Sequence, residues 1–312
     1  MAATRGGAPD RRQRIQSLSG AYLVGMARLV ALSSNHNFAT ALISLAITRA
    51  NVRGLVAFGE AALRDPDEGE IPPEGDRTPV TVYALARRLG LPYETVRRHV
   101  GKLRAAGLGV SPECGLQARG LGGPLTPEAV EQCWRQTVAF VDDAAALGMR
   151  APGGHPPAGP QVARHIVRLA TEYFLDGMRL MAQAMDLDVM AVLVLRTVTV
   201  GNIARLARDP TLARIRVGLA DMASDEDRVP VSVYAVSKFL LLPYETARRT
   251  LLRLTDLGLV ERRGGGLVVP VAVVARSNLV GGLAALIEGF LGRLAEVGVV
   301  ALAEALPDAA AA

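Results

Sequence analysis

The sequence predicts a mainly α-helical protein with two helix-turn-helix repeats embedded in helical bundles, each followed by a short β-hairpin. Three observations carry this expectation. First, TPVTVYALARRLGLPYETVRRHVGKLRAAGLGV, from Thr78 to Val110, returns as VPVSVYAVSKFLLLPYETARRTLLRLTDLGLVE, from Val229 to Glu261. The offset is 151 residues without a gap, and 16 of 33 positions are identical. An internal repeat defines architecture before any single motif does. Second, apolar residues inside each copy recur at helical spacing. Third, aromatics make up only 4% of the chain, and Ala, Leu and Val supply most of the apolar half. That balance favours helices over a β-sandwich.

A length of 312 residues suits about two domains. The boundaries follow the repeat: residues 1–148, a Pro/Gly-rich linker at 149–160 (MRAPGGHPPAGP), and residues 161–312. Half the residues are apolar, enough for each half to bury a real core. Each reads as two long helices, a helix-turn-helix, a hairpin and a closing helical stretch, near 126–148 and 274–306. ITRANV, from Ile47, aligns with VTVGNI, from Val198, and pairs Asn51 with Asn202. YLVGMARL near Tyr22 resembles YFLDGMRL near Tyr173 with a one-residue slip. The first ten residues and the Ala-rich tail are expected to fray.

The formal charge is +5 and the isoelectric point about 9.6. That permits a polyanionic partner without naming one. The cations are 33 Arg and 2 Lys, a bias that a GC-rich genome also produces. Arg suits phosphate and base-edge contacts in either case. Cys114 and Cys133 form no C-x-x-C pair, so no metal or cofactor is expected and a reducing cytoplasm is the natural compartment. No signal-type apolar run adjoins Arg5, Arg11, Arg12 and Arg14. Arg28, His36, Arg196, Glu288 and Arg293 interrupt the apolar stretches, so no membrane partner is expected.

Within each copy, Thr81 and Ser232 are N-cap residues. Val82, Leu85, Ala86 and Leu89 form one apolar face; Val233, Val236, Ser237 and Leu240 repeat it. Gly90 permits a sharp turn, and Pro92 and Pro243 are expected to open the next helix. That helix buries Val96, Val100 and Leu103, or Ala247, Leu251 and Leu254. Arg98 then lies opposite the buried stripe, with Thr95 and Lys102 on one flank and Arg97 and Arg104 on the other. Arg249 takes the central place in the second copy, beside Thr246 and Arg248. Gly101, inside the first such helix, costs about 1 kcal/mol relative to Ala; Leu252 stands in its place in the second.

A helix with this outward face fits a major groove, where its N-terminal residues meet base edges. Tyr93, Glu94 and Thr95 hold those positions, as do Tyr244, Glu245 and Thr246. The duplicated Glu either accepts from cytosine N4 or favours the helix N-terminus through its dipole. GLVERRGGGLVVP, from Gly258, reads as a hairpin with Arg262 and Arg263 at its bend. Its first counterpart, GVSPECGLQARG, is poorer, since Pro112 limits pairing and Arg119 is its only cation. Asn51 and Asn202 are either ligand contacts or helix-face amides that bond a neighbouring helix or cap a bend. The acidic stretches Asp65–Asp76 and Asp225–Arg228 read as solvated loops.

The segment from Leu85 to Leu108 resembles winged helix-turn-helix transcription regulators of bacteria. The likeness covers about 40 residues per half and implies a DNA-reading surface at Tyr93, Thr95, Arg97, Arg98 and their counterparts. The RRGGGLVV wing is similar to that of the GntR family. The flanking helices look more like the MarR family, whose subunits dimerise through such helices, although the Asp-Arg wing signature of that family is absent.

The expected partner is therefore double-stranded DNA, bound through Tyr93, Glu94, Thr95, Arg97, Arg98, Lys102, Tyr244, Glu245, Thr246, Arg248, Arg249, Arg262 and Arg263. A winged-helix module that docks on protein is the alternative. A homodimer and a small-molecule effector are compatible with either; Trp134, Phe140, Met26, Met178 and Met181 are candidates to line an effector pocket. His36, His99, His155 and His165 fall into no nucleophile–base arrangement, so an enzyme is not expected.

Overall fold

A computed structural model describes residues 11–33, 37–52, 78–107, 115–117, 127–149, 160–203, 224–276 and 280–296. The interior of the linker, the first acidic stretch, Pro112 and Arg119 lie outside the described residues. Among those described, the chain is mainly helical, with one two-stranded antiparallel sheet. The first half contributes α1 (Arg11–Ser33), α2 (Phe38–Val52), α3 (Val82–Leu89), α4 (Tyr93–Ala105) and α5 (Pro127–Ala146). The second contributes α6 (Pro160–Met185), α7 (Val189–Ile203), α8 (Val233–Leu240), α9 (Tyr244–Asp256), β1 (Glu261–Arg263), β2 (Gly266–Val268), α10 (Val271–Arg276) and α11 (Val280–Glu296).

Among the described residues, the two halves share one core. Buried residues from Leu18 to Leu294 form one cluster. The long helices are apolar around much of their circumference, so one neighbour cannot cover them. α7 buries an unbroken run from Ala191 to Thr199. Accordingly α1 packs on both α5 and α11, and α6 packs on the same two helices. Contacts also cross reciprocally: α1 touches α7, and α6 touches α2.

Four aromatic rings reveal how the halves are related. Tyr22 lies 4.6 Å from Phe140, and Tyr173 lies 4.5 Å from Phe290. Across the seam, Tyr22 is 5.9 Å from Phe290 and Phe140 is 5.6 Å from Tyr173. Like meets like at 5.6 Å for the tyrosines and 5.8 Å for the phenylalanines. Such self-complementary pairing belongs to a twofold axis rather than to a translation. The symmetry is approximate. Arg49 of α2 forms a two-pronged pair with Asp176 of α6, at 2.9 and 2.6 Å, and residues 25 and 200, one offset away, are Gly and Val.

Asn51 and Asn202 are joints between the bundle and the segments that follow. Asn51 Nδ2 donates to the carbonyls of Thr78 and Leu116, at 2.8 and 2.9 Å. Asn202 Nδ2 donates to those of Val229 and Leu267 at the same distances. Asn202 Oδ1 also accepts from Val269 N at 3.0 Å. The amides therefore have a structural role, as one of the two readings expected, but their partners are backbone groups outside the helices rather than a neighbouring helix.

The equivalence reaches further than the sequence suggested. Val80 pairs antiparallel with Leu116, and Val231 with Leu267, again 151 residues apart. At Gly115 a Cβ would stand 2.9 Å from Pro79, and at Gly266 a Cβ would stand 2.7 Å from Pro230. The two bridges therefore sit at equivalent places in the two halves. In the second hairpin, Gly264 and Gly265 both have positive φ, 53° and 81°, as a two-residue turn with native twist requires. The bend is these glycines; Arg262 and Arg263 lie on β1 instead, opposite Leu267 and Gly266.

Candidate nucleic-acid interface

Each half presents a short helix, a tight turn and a longer helix. Thr81 accepts from Ala84 N and Ser232 from Ala235 N, both at 3.1 Å, so the predicted caps are in place. The chain reverses at Gly90 (φ 63°) and at Leu241 (φ 50°). Pro92 and Pro243 stand one residue earlier than expected. They are N-caps with extended backbone, and Tyr93 and Tyr244 open the helices. Their carbonyls accept the first helical bonds, Pro92 O from Thr95 and Val96, Pro243 O from Ala247.

α4 buries Val96, His99, Val100 and Leu103, and α9 buries Ala247, Leu251 and Leu254. These stripes seat α4 on α2 and α9 on α7. The opposite faces are open. Tyr93, Glu94, Arg97, Arg98, Lys102, Tyr244, Glu245, Thr246, Arg248 and Arg249 are exposed, and Thr95 is half-buried. The Arg249 side chain is 76% accessible. Gly101 is exposed with nothing near its missing Cβ, and Leu252 is half-buried.

The two glutamates engage the arginines of their own helices. Arg97 Nε donates to Glu94 at 2.9 Å. Glu245 accepts from Arg248 Nε and Nη2, each at 2.8 Å, and from Arg249 Nε at 3.0 Å. The bonds from Arg248, then those from Arg249, hold the Glu245 carboxyl down at about 2. Neither sequence reading of this Glu foresaw such pairing, although the i, i+3 and i, i+4 spacing carries the signal.

The hairpin cations differ from each other. Arg262 is exposed on β1. Arg263 donates to the Asp225 carbonyl and lies 3.5 Å from Glu261. Asp225 also accepts from Val271 N at 2.9 Å, and Asp227 accepts from the Ser224 hydroxyl at 2.7 Å. The second acidic stretch is therefore a braced corner that holds Arg263 rather than a merely solvated loop.

His99 is buried and its Nδ1 lies 2.7 Å from the Thr40 hydroxyl. Burial, then the charges of Lys102 and Arg98, lower its pKa to about 4. Of the candidates for an effector pocket, Met26, Phe140, Met178 and Met181 are core residues and Trp134 is half-buried against that core. The open groove along α5 is lined by Glu128, Glu131, Gln132, Arg135, Gln136 and Ala139, none of them among those candidates.

One pair escaped the sequence reading. Tyr83 and Tyr234, on the first turns of α3 and α8, are 63% and 61% exposed. All six tyrosines pair at the 151-residue offset: Tyr22 with Tyr173 inside, Tyr83 with Tyr234 and Tyr93 with Tyr244 outside. That spacing was available in the sequence. Among the described residues, no helix is long and apolar enough to cross a membrane. Comparison with protein-family models, with curated proteins and with solved structures finds no match for this chain.

Proposed function

We propose that the chain is a sequence-specific DNA-binding transcription regulator acting in the cytoplasm. On this reading each short–long helix pair is a helix-turn-helix, each following hairpin a wing, and α4 and α9 are recognition helices. One observation carries the reading. The same outward constellation of Tyr, Glu, Thr and paired Arg occurs on two exposed helices related by an approximate twofold. Duplex DNA has its own local twofold, so two such helices suit successive major grooves of an inverted repeat. The helical seam through which two copies would pair is filled by the other half of the same chain, which favours one chain as a complete reader. Arg97, Arg98, Lys102, Arg248, Arg249 and Arg262 supply phosphate or base contacts; Arg263 contributes less because Asp225 and Glu261 hold it.

The test is duplex binding across a salt series. Replacing Arg97 and Arg98 together with Ala is expected to weaken binding at least tenfold and to flatten the log–log salt slope by about 2, as loss of two phosphate contacts requires. Replacing Arg248 and Arg249 together is also expected to weaken binding, with a smaller change of slope because Glu245 already holds both. Unchanged affinity and slope in both double variants reject the surface.

A protein-docking role is favoured by one feature. Leu241 and Leu257 are exposed in the second copy, where the first has Gly90 and Ala106. Failure to bind any duplex at low salt selects that reading.

A further inference from the structure

The proposal that α4 and α9 read DNA leaves a puzzle: each carries a carboxylate where phosphates approach. The hydrogen bonds around it are specific to one nitrogen. Glu94 takes Arg97 by Nε alone, and Glu245 takes Arg249 by Nε alone, which leaves Nη1 and Nη2 of each as an outward edge. Arg248 is held by both Nε and Nη2, so its fork is spent. Two parallel donors are what a guanine O6/N7 edge accepts.

Resting on the DNA-binding reading above, we propose that Glu94 and Glu245 are specificity-determining positioning residues: each anchors one arginine so that its terminal edge faces a guanine, while the carboxylate charge weakens attraction to phosphates. An unanchored arginine on an exposed helix reaches any nearby phosphate, which adds affinity without sequence information. An anchored one loses that freedom and keeps its fork in one orientation. Ordinary helix stabilisation by such exposed pairs is small.

The two readers then differ in a defined way. Arg97 corresponds to Arg248 by the repeat offset, and Arg98 to Arg249. The presented fork therefore sits on Arg97 in the first reader and on the next position, Arg249, in the second. One residue turns a helix by about 100°, so the guanine contacts fall at non-equivalent positions of the two half-sites. Glu245 also restrains two cations where Glu94 restrains one. Among the described residues, Arg98 makes no ion pair.

The experiment uses the full chain. A binding duplex is first selected from a random library with the native protein. Affinities for that duplex and for a random-sequence duplex are then measured across a salt series for the native chain, Glu94→Gln and Glu245→Gln. The expected result for Glu245→Gln is roughly threefold to tenfold tighter binding to random duplex and a steeper salt slope by about 1. The ratio of selected to random affinity falls at least about fivefold, and Glu94→Gln does the same more weakly. Unchanged ratio and slope, with unchanged thermal melts, overturn the proposal. So does a loss confined to discrimination at one C·G pair with random-duplex affinity unmoved, because the carboxylate would then read cytosine itself. If the native chain selects no duplex and binds none at low salt, the DNA-binding reading fails and takes this inference with it.

Discussion

Two side chains show how single residues set local stability. Leu241 occupies the left-handed region at the turn between α8 and α9, where the first copy has Gly90. A side chain there meets the following carbonyl and costs about 1–2 kcal/mol. Leu241→Gly is therefore expected to raise stability by about 0.5–1 kcal/mol, after the entropic cost of glycine, as read by denaturant unfolding. His99 makes stability depend on pH. Its folded pKa of about 4 lies below its usual 6.5, so the unfolded chain binds the proton first as pH falls. The stabilisation is complete above about pH 6.5 and is lost progressively as pH falls through 4. Its size is on the order of 3 kcal/mol. Unfolding free energies at pH 7.5, 5.5 and 4, about a unit or two apart, are expected to fall in the native chain and to fall less in His99→Gln.

At the scale of elements, Asn51 ties Thr78 and Leu116 to the bundle, and Asn202 does the same for Val229, Leu267 and Val269 at the base of the β1–β2 hairpin. Removing either amide takes the donor from one part-buried carbonyl, that of Thr78 or Val229, while those of Leu116 and Leu267 keep their bonds from Val80 and Val231; at Asn202 the buried Val269 amide loses its acceptor as well. Asn202→Ala is expected to cost about 2–4 kcal/mol, because buried groups left unbonded lose more than the bond itself was worth. Hydrogen exchange at Val229 and Val269 should accelerate more than at the α9 amides, since the joint and not the helix is released. Equal acceleration everywhere would mean that the joint carries no local role.

For the whole molecule, the shared aromatic cluster makes folding cooperative across the repeat. Tyr22, Phe140, Tyr173 and Phe290 each touch rings of the other half. Phe290→Ala should destabilise by roughly 3–5 kcal/mol and do so for probes in both halves. Calorimetry is expected to show one transition for the native chain, and residues 1–148 alone should fail to fold as a monomer because their share of the seam is uncovered. Two separated transitions, or a well-folded isolated half, would contradict the single core.

Within each motif, nearly everything about direction was legible in the linear order of residues. Val96, Val100 and Leu103 go inward and Arg97, Arg98 and Lys102 outward, because a helix imposes its period on neighbours only a few residues apart. Caps at Thr81 and Ser232 follow from the same local chemistry. The partners chosen over long distances were not legible. Whether α1 covers its own half or the other, what Asn202 bonds, and that His99 lies buried against Thr40 were decided only when the helices closed on one another. Apolar burial is non-directional, so a pattern of Leu, Val and Phe states that a surface must be covered without stating by what. The geometry of closure made that choice, and with it turned a duplicated sequence into one molecule with a twofold.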